Sequence, residues 1–255
     1  MRLTGLMPNV GRHLRGVVSG REAAVGLRNQ WTLGEGIRLH TEFEQIRSLN
    51  GADRTTTALT GAVEYTTNPD WKGSARLEYR TDVSSNQLLG TLGMAYRDSV
   101  DNRWDALGRY EFKHEDDNTS AAITQRSAHI LSTHASYQPR TDLSFTGRYA
   151  GKHVLENSSG INSSYSAHLL SARADYDIAR DWTVGVNAGV LFSAGMRSRQ
   201  GALGAELGRV LTKNLWLSVG YNHFGFRDDD LAPGGFTDKG VFLRLRYKFD
   251  ENLLN

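Results

Sequence analysis

Along most of the chain, hydrophobic and polar positions alternate with a period of two. The clearest case lies near the C-terminus. In GVFLRLRYKFD, residues 240–250, Val241, Leu243, Leu245, Tyr247 and Phe249 alternate with Phe242, Arg244, Arg246 and Lys248. This period sends successive side chains to opposite faces of a strand. One face is therefore apolar and aromatic, the other mostly cationic. Comparable segments follow one another from about residue 21, among them EAAVGLRNQW, ALTGAVEYTT, SARLEYR, WDALGRYEFKH, LSFTGRYAGK, TVGVNAGVLF and LWLSVGYNHF. They predict about thirteen strands of roughly 9–12 residues. Globular strands average ~5–6 residues, while ~9–11 tilted residues cross an outer membrane. No segment carries a convincing helical period.

The connections alternate too. LGEG, TNPDW, DSVDNRW, QPRTD, ARDW and LTKN read as short turns. Between them stand RSLNGADRTT, TDVSSNQ, HEDDNTSAAITQRS, LENSSGINSSYS, SAGMRSRQ and RDDDLAPGGFTDKG, which read as longer polar loops. Short turns at one end and longer loops at the other predict an all-β, antiparallel, up-and-down transmembrane barrel, with periplasmic turns and extracellular loops. Such barrels usually have an even strand number, so residues 3–14 are a candidate first strand, with Pro8 making it an edge at best. The expectation is 14 strands, with 12 as the alternative. Residues 1–20 form an N-terminal segment (first strand, plug or frayed end), 21–250 the barrel, and 251–255 a periplasmic tail.

Aromatic positions sharpen the reading. All five Trp, at 31, 71, 104, 182 and 216, fall at the short-turn end. Tyr65, Tyr96, Tyr137, Tyr176 and Tyr247 close downward strands there, while Tyr79, Tyr110, Tyr149 and Tyr221 mark the loop end. These Tyr share the apolar face of their strands, and Phe249 ends the last one. Pairs such as Leu59–Tyr65, Trp104–Tyr110 and Leu215–Tyr221 stand six positions apart, about 20 Å of strand, close to the ~25 Å apolar band between aromatic girdles. Trp31, Tyr65, Trp71, Tyr79, Tyr96, Trp104, Tyr110, Tyr137, Tyr149, Tyr176, Trp182, Trp216, Tyr221, Tyr247 and Phe249 are thus expected at the membrane interface.

The opposite face carries Arg28, Arg38, Glu42, Arg76, Glu78, Arg80, Arg109, Glu111 and Lys113. Further along it carries Arg148, Lys152, Arg173, Asp175, Glu206, Arg244, Arg246 and Lys248. Burying that face in a dry core would be prohibitive, so it is expected to line a wet pore. A β-sandwich also pairs a polar with an apolar face, but gives no reason for aromatics at both strand ends. A propeller would need four short strands in the 33–40 residues that two long ones fill.

Composition agrees. In 255 residues Lys and Arg number 30 and Asp and Glu 28, a net charge of +2 that gives no general pull toward nucleic acid. Mean hydropathy is −0.47, and no apolar run approaches the ~20 residues of a membrane helix; alternation keeps a barrel's average low. There is no Cys, which removes disulfides, Cys-based zinc sites and thiol nucleophiles.

At this point the chain resembles a known family. ALTGAVEYTTNPDWKGSARLEYR, RWDALGRYEFK and GVFLRLRYKF resemble the C-terminal outer-membrane barrel of long, repeat-containing surface proteins of Gram-negative bacteria. The likeness covers most of residues 21–250. It implies a barrel that anchors or passes a large N-terminal region. Two departures stand out: one Trp-turned hairpin is missing between LLGTLGMAYR and RWDALGRYEFK, and DENLLN follows the terminal Phe249, where the assembly signal normally ends.

The expected function is a water-filled pore for passive passage of ions and small solutes. The alternative is an anchor or translocator for a larger surface protein. A cation-only row at Arg244, Arg246 and Lys248 suggests mild anion preference. Residues 1–20 carry Arg2, Arg12 and Arg15, which suit a plug facing lumen carboxylates or a frayed end. An enzyme is the least supported reading: the eight His fall in no Ser/His or Asp/His motif, and only His153 and His223, the latter near Asp228, Asp229 and Asp230, approach the loop end. The acidic clusters DDD and HEDDN lack Ca²⁺-loop spacing. No cofactor or metal is expected. Partners are the outer-membrane bilayer, the barrel-assembly machinery through the last strand, and the solutes themselves, with the chain a monomer.

Overall fold

The computed structural model describes residues 11–13, 22–48, 55–118, 124–194, 198–212, 215–224 and 239–247. Every regular element among them is a strand. In order these are β1 (Gly11–His13), β2 (Glu22–Gly34), β3 (Ile37–Ser48), β4 (Thr55–Tyr65), β5 (Trp71–Thr81), β6 (Ser85–Arg97) and β7 (Trp104–Asp117). Then follow β8 (Thr124–Arg140), β9 (Leu143–Ser158), β10 (Ile161–Ala179), β11 (Trp182–Ser193), β12 (Ser198–Thr212), β13 (Leu215–Phe224) and β14 (Gly240–Tyr247). They form a 14-stranded sheet in which every strand pairs with its neighbours in sequence. Up-and-down order follows from the short links, which bring each strand back beside the one before it.

The expected strand count is met in this form: β1 has only 3 residues, pairing Gly11–His13 with Gly26–Arg28. The rest of residues 1–20, and the tail 251–255, lie outside the described residues. The other strands run from 8 to 19 residues, so several exceed the expected length.

Two expected long loops are corrected by the structure. LENSSGINSSYS is mostly strand: β9 and β10 continue to a two-residue turn at Ser159–Gly160, where both φ angles are positive, 52° and 81°. That geometry matches the right-handed strand twist, and Ser, Asn and Tyr are as much at home in a solvated strand as in a loop. TDVSSNQ shrinks to residues 82–84 between β5 and β6. There Asp82 Oδ1 accepts hydrogen bonds from the Ser84 and Ser85 N–H groups at 2.7 and 2.6 Å. These bonds hold the Asp82 carboxyl below its ordinary range, the Ser84 backbone bond most of all.

The short-turn end behaves as expected. Glu35–Gly36 closes β2 onto β3 with Gly36 at φ 65°. The Thr66 N–H donates to the Gly36 carbonyl at 2.8 Å, and Thr67 Oγ1 donates to that of Glu35. A methyl on Gly36 would stand 2.5 Å from the Thr67 nitrogen, so Gly is required there for space as well as for φ. Asn68 Oδ1 accepts from the Asp70 and Trp71 N–H groups at 2.8 and 3.0 Å, which starts β5 with Trp71 in place.

The chain divides into two compact units: Met1–Ser99, Leu107–Leu131 and His153–Ser164 form unit 1, and Val100–Ala106, Ser132–Lys152 and Tyr165–Asn255 form unit 2. In unit 1 the registers lay Phe43 beside Leu59, Leu59 beside Tyr79, and Val63 beside Ala75, which in turn faces Leu92. In unit 2 Leu217 faces Leu245, and Val219 faces both Leu207 and Leu243. These rows form one face of each unit, and that face is open. Val241, Leu243 and Leu245 are 76, 71 and 63% exposed, and Leu59, Leu77, Leu92, Trp71 and Tyr79 are exposed as well. The buried apolar residues are instead small or few: Ala58, Ala128, Ala150, Val154, Leu169 and Ala202. Among the described residues, no second layer covers the apolar rows, as a sandwich would require.

Candidate functional site

The charged face is built by the same parity that builds the apolar one. In unit 1, Arg28 of β2 faces Glu42 of β3 at 3.4 Å. On β5, Glu78 takes Arg76 at 2.7 Å and Arg80 at 3.3 Å. On β7, Arg109 meets Glu111 at 2.7 Å, and Lys113 meets Glu115 at 3.1 Å. Residues i and i+2 share a strand face, so these sequence-adjacent pairs follow from the spacing alone. A cavity of about 450 Å³ opens on this face, lined by Arg28, Arg76 and Arg109 together with Glu42, Glu64 and Glu78. Arg38 lies on the same face, opposite Glu64.

In unit 2 the charges reach further. Arg173 of β10 donates through Nε to Asp175 Oδ2 at 2.7 Å and through Nη2 to Glu206 of β12. Two strand spacings, about 9–10 Å, separate β10 from β12, with β11 between. The contact is possible because both Asp175 and Glu206 stand opposite Gly185. A methyl on Gly185 would lie 2.5 Å from Arg173 Nη2 and 2.7 Å from Asp175 Oδ1. From the other side, Arg244 of β14 comes within 3.3 Å of Glu206 Oε2 across β13. The intervening residues there are Gly220, opposite Glu206, and Ser218, opposite Arg244. The Glu206 side chain is only 1% accessible, whereas that of Arg244 is 39% accessible. Lys152 is also buried on this face and sits 5.6 Å from the Tyr165 ring. Arg148 lines a cavity of about 370 Å³ with Arg173 and Arg244.

The aromatic expectations can be placed position by position. Trp71 packs on Tyr96 with ring centroids 4.7 Å apart, and Trp104 stacks on Tyr137 at 4.1 Å. Trp182 covers Arg209 at 5.2 Å, and Trp31 stands opposite Leu39 on the apolar face. At the loop end, Tyr110 Oη meets His129 Nδ1 at 2.7 Å and Tyr149 Oη meets His168 Nδ1 at 3.0 Å. Both pairs lie on the apolar face. Trp216 is a correction. It alternates with Leu215 and Leu217, stands opposite Arg246 with the guanidinium 4.9 Å from its ring, and lies over Gly208 on the charged face. Position at the strand end placed it with the other Trp, but parity, which sets the face, puts it with the charges. Lys248 and Phe249 lie outside the described residues.

Sequence reasoning missed one constellation. His114 on β7 meets Ser127 Oγ of β8 through Nδ1 at 2.8 Å, and its Nε2 lies 3.4 Å from Asp116 Oδ1. These are the residue types of a nucleophilic triad. Yet the Asp116 contact lacks hydrogen-bond geometry, and Asp116 Oδ1 has no hydrogen-bond partner in the described residues. Without an orienting bond to the imidazole, the trio ties two strand ends together rather than arming Ser127. Of the loop-end residues singled out earlier, His153 is exposed and His223 lies beside Phe224, while Asp228–Asp230 fall outside the described residues. No cluster suited to a metal ion occurs among the described residues.

No protein-family model and no curated protein matches the chain. Solved structures do. The siderophore receptor PirA of Pseudomonas aeruginosa matches with a TM-score of 0.65 at 8% identity, over 83% of this chain and 43% of the receptor. PirA of Acinetobacter baumannii matches with a TM-score of 0.57 at 7% identity, over 83% and 41%. FpvA of P. aeruginosa, bound to pyoverdine, matches with a TM-score of 0.57 at 11% identity, over 80% and 40%. At such identities the likeness shows the fold: an all-β, antiparallel, up-and-down barrel of the outer-membrane kind. The chain spans less than half the length of these receptors.

Proposed function

We propose that this chain is a Gram-negative outer-membrane barrel whose charged face lines a water-filled pore for passive passage of ions and small solutes. The observation that carries the reading is the exposure of whole rows of large apolar side chains on one face while the other face is ionic. Only a hydrocarbon solvent makes that distribution favourable, because leaving such side chains in water forfeits about 1.5–3 kcal/mol each. The Trp–Tyr pairs at the short-turn end and the Tyr–His pairs at the loop end then sit at the two headgroup levels. Lipid is the principal partner. Assembly proceeds through the last strand, and the chain acts as a monomer.

One observation favours the second reading, an anchor or translocator of a larger surface protein like the repeat-containing family. On the charged face of unit 2, Ala150, Leu169 and Ala202 form a buried apolar cluster with Ala167 and Leu191. Apolar residues filling the inner wall suit a narrowed lumen better than an open channel.

Single-channel recording of the refolded protein in a planar bilayer separates the two. Steady open conductance, with a reversal potential that moves toward cations when Arg244 and Arg246 are changed to Glu, is the expected result. Electrical silence from protein that migrates as a folded, heat-modifiable band would overturn the pore and leave the anchor.

A further inference from the structure

The two cavities on the charged face differ in one respect. The cavity in unit 1 mixes Arg28, Arg76 and Arg109 with Glu42, Glu64 and Glu78, so Arg28 and Arg76 meet Glu42 and Glu78 within the lining. The cavity in unit 2 has Arg148, Arg173 and Arg244 as its charged lining, with the His134 imidazole and the carboxamides of Asn187 and Asn222. No carboxylate lines it. Asp175 and Glu206, which offset part of this charge, stand outside the lining, and Glu206 is sealed from solvent.

Two donors keep hydrogen-bonding capacity to spare. Arg244 makes no hydrogen bond among the described residues. Its contacts are the ion pair to Glu206 and the face of Phe242, 5.5 Å from the guanidinium. Asn187 likewise makes no side-chain hydrogen bond among them. The backbone also leaves room for these groups. Gly204 stands opposite both Asn187 and Asn222 in register, and a methyl there would collide with the Asn222 carboxamide and lie 3.0 Å from that of Asn187. With about 370 Å³ available, the space holds roughly a dozen waters, enough for a compact solute of a few heavy atoms.

We infer that this cavity is an oxyanion-binding subsite, taking a small carboxylate or phosphate between the Arg148 and Arg244 guanidinium groups, with the Asn187 carboxamide orienting it. A guanidinium presents paired N–H donors at the spacing of two carboxylate or phosphate oxygens. Glu206 keeps Arg173 and Arg244 in position without entering the cavity. The inference rests on the charged face being hydrated, as the pore reading requires, but not on conduction.

The test is isothermal titration of folded protein in non-ionic detergent and low-chloride buffer, with sodium phosphate and with sodium succinate as separate probes. At least one oxyanion is expected to bind saturably with unit stoichiometry. Arg244→Gln and Arg148→Gln should each weaken it tenfold or more, while Arg76→Gln and Arg109→Gln in unit 1 leave it unchanged. The tighter of the two probes assigns the solute to the phosphate or the carboxylate class. Arg244→Lys, which keeps the charge and loses the fork, should also weaken binding, and it guards against a glutamine variant that does not fold. Absence of saturable binding to the folded protein, or equal weakening by Arg76→Gln, would overturn the site. A barrel that binds the anion yet stays electrically silent would overturn the pore and leave this site standing.

Discussion

Glu206 shows how much one residue can depend on the absence of side chains around it. Its carboxylate serves two guanidinium groups from strands that are not its neighbours, because Gly185 and Gly220 stand opposite it. Replacing it by Gln leaves Arg244 without its counter-charge and Arg173 with Asp175 alone, beside a sealed position. Breaking such a buried pair costs about 3–5 kcal/mol. In unfolding by urea from detergent, Glu206→Gln should therefore lower stability by about that much, whereas Glu42→Gln, whose Arg28 partner is largely exposed, should cost about 0–1 kcal/mol. Asp82 offers a pH-dependent case. Its folded pKa is lowered from the model-peptide value of 3.8, so its loop gains stability above that value and loses it as pH falls through the depressed one. Hydrogen exchange of the Ser84 and Ser85 amides should stay slow at pH 6 and speed up, beyond the intrinsic trend, below about pH 4; Asp82→Asn should abolish the dependence. Parity in the sequence was enough to place Arg173, Glu206 and Arg244 on one face. Their meeting was not legible, since it depends on register across β11 and β13. The glycines of TVGVNAG and LSVGYN were its only trace.

At the level of the strand, alternation carried nearly all the information. The strands from β2 to β14 fall where the period-two segments predict them, because one slipped residue would exchange the two faces entirely. The ends were harder to read. Polar residues such as Asn162, Ser163 and Ser164 extend β10 past the expected boundary, since a solvated strand sets no hydrophobic condition on them. Trp216 failed for a related reason: closeness to a turn predicts depth, while the face depends on a single residue of register. The apolar rows make a direct prediction. Leu92 faces Ala75, which faces Val63, in the middle of the apolar face. Leu92→Arg should cost about 2–4 kcal/mol in lipid, whereas Thr91→Arg, pointing to the charged face, should be nearly neutral. Urea midpoints in liposomes would check both.

For the molecule as a whole, the central claim concerns solvent: one face of every strand meets hydrocarbon and the other meets water. The fold shared with outer-membrane receptors agrees with it, as does the scarcity of buried apolar side chains. The chain has no cysteine, so single cysteines can report on it without a background. Spin labels placed one at a time from residue 241 to 246 and from residue 88 to 93, in protein reconstituted in lipid, would be relaxed by oxygen, which concentrates in hydrocarbon, and by a water-soluble nickel chelate. The account predicts alternation with a period of two. Positions 241, 243 and 245, and 88, 90 and 92, should favour oxygen, while 242, 244 and 246, and 89, 91 and 93, favour nickel. Apolar positions shielded from both reagents, as a soluble sandwich would leave them, would contradict it.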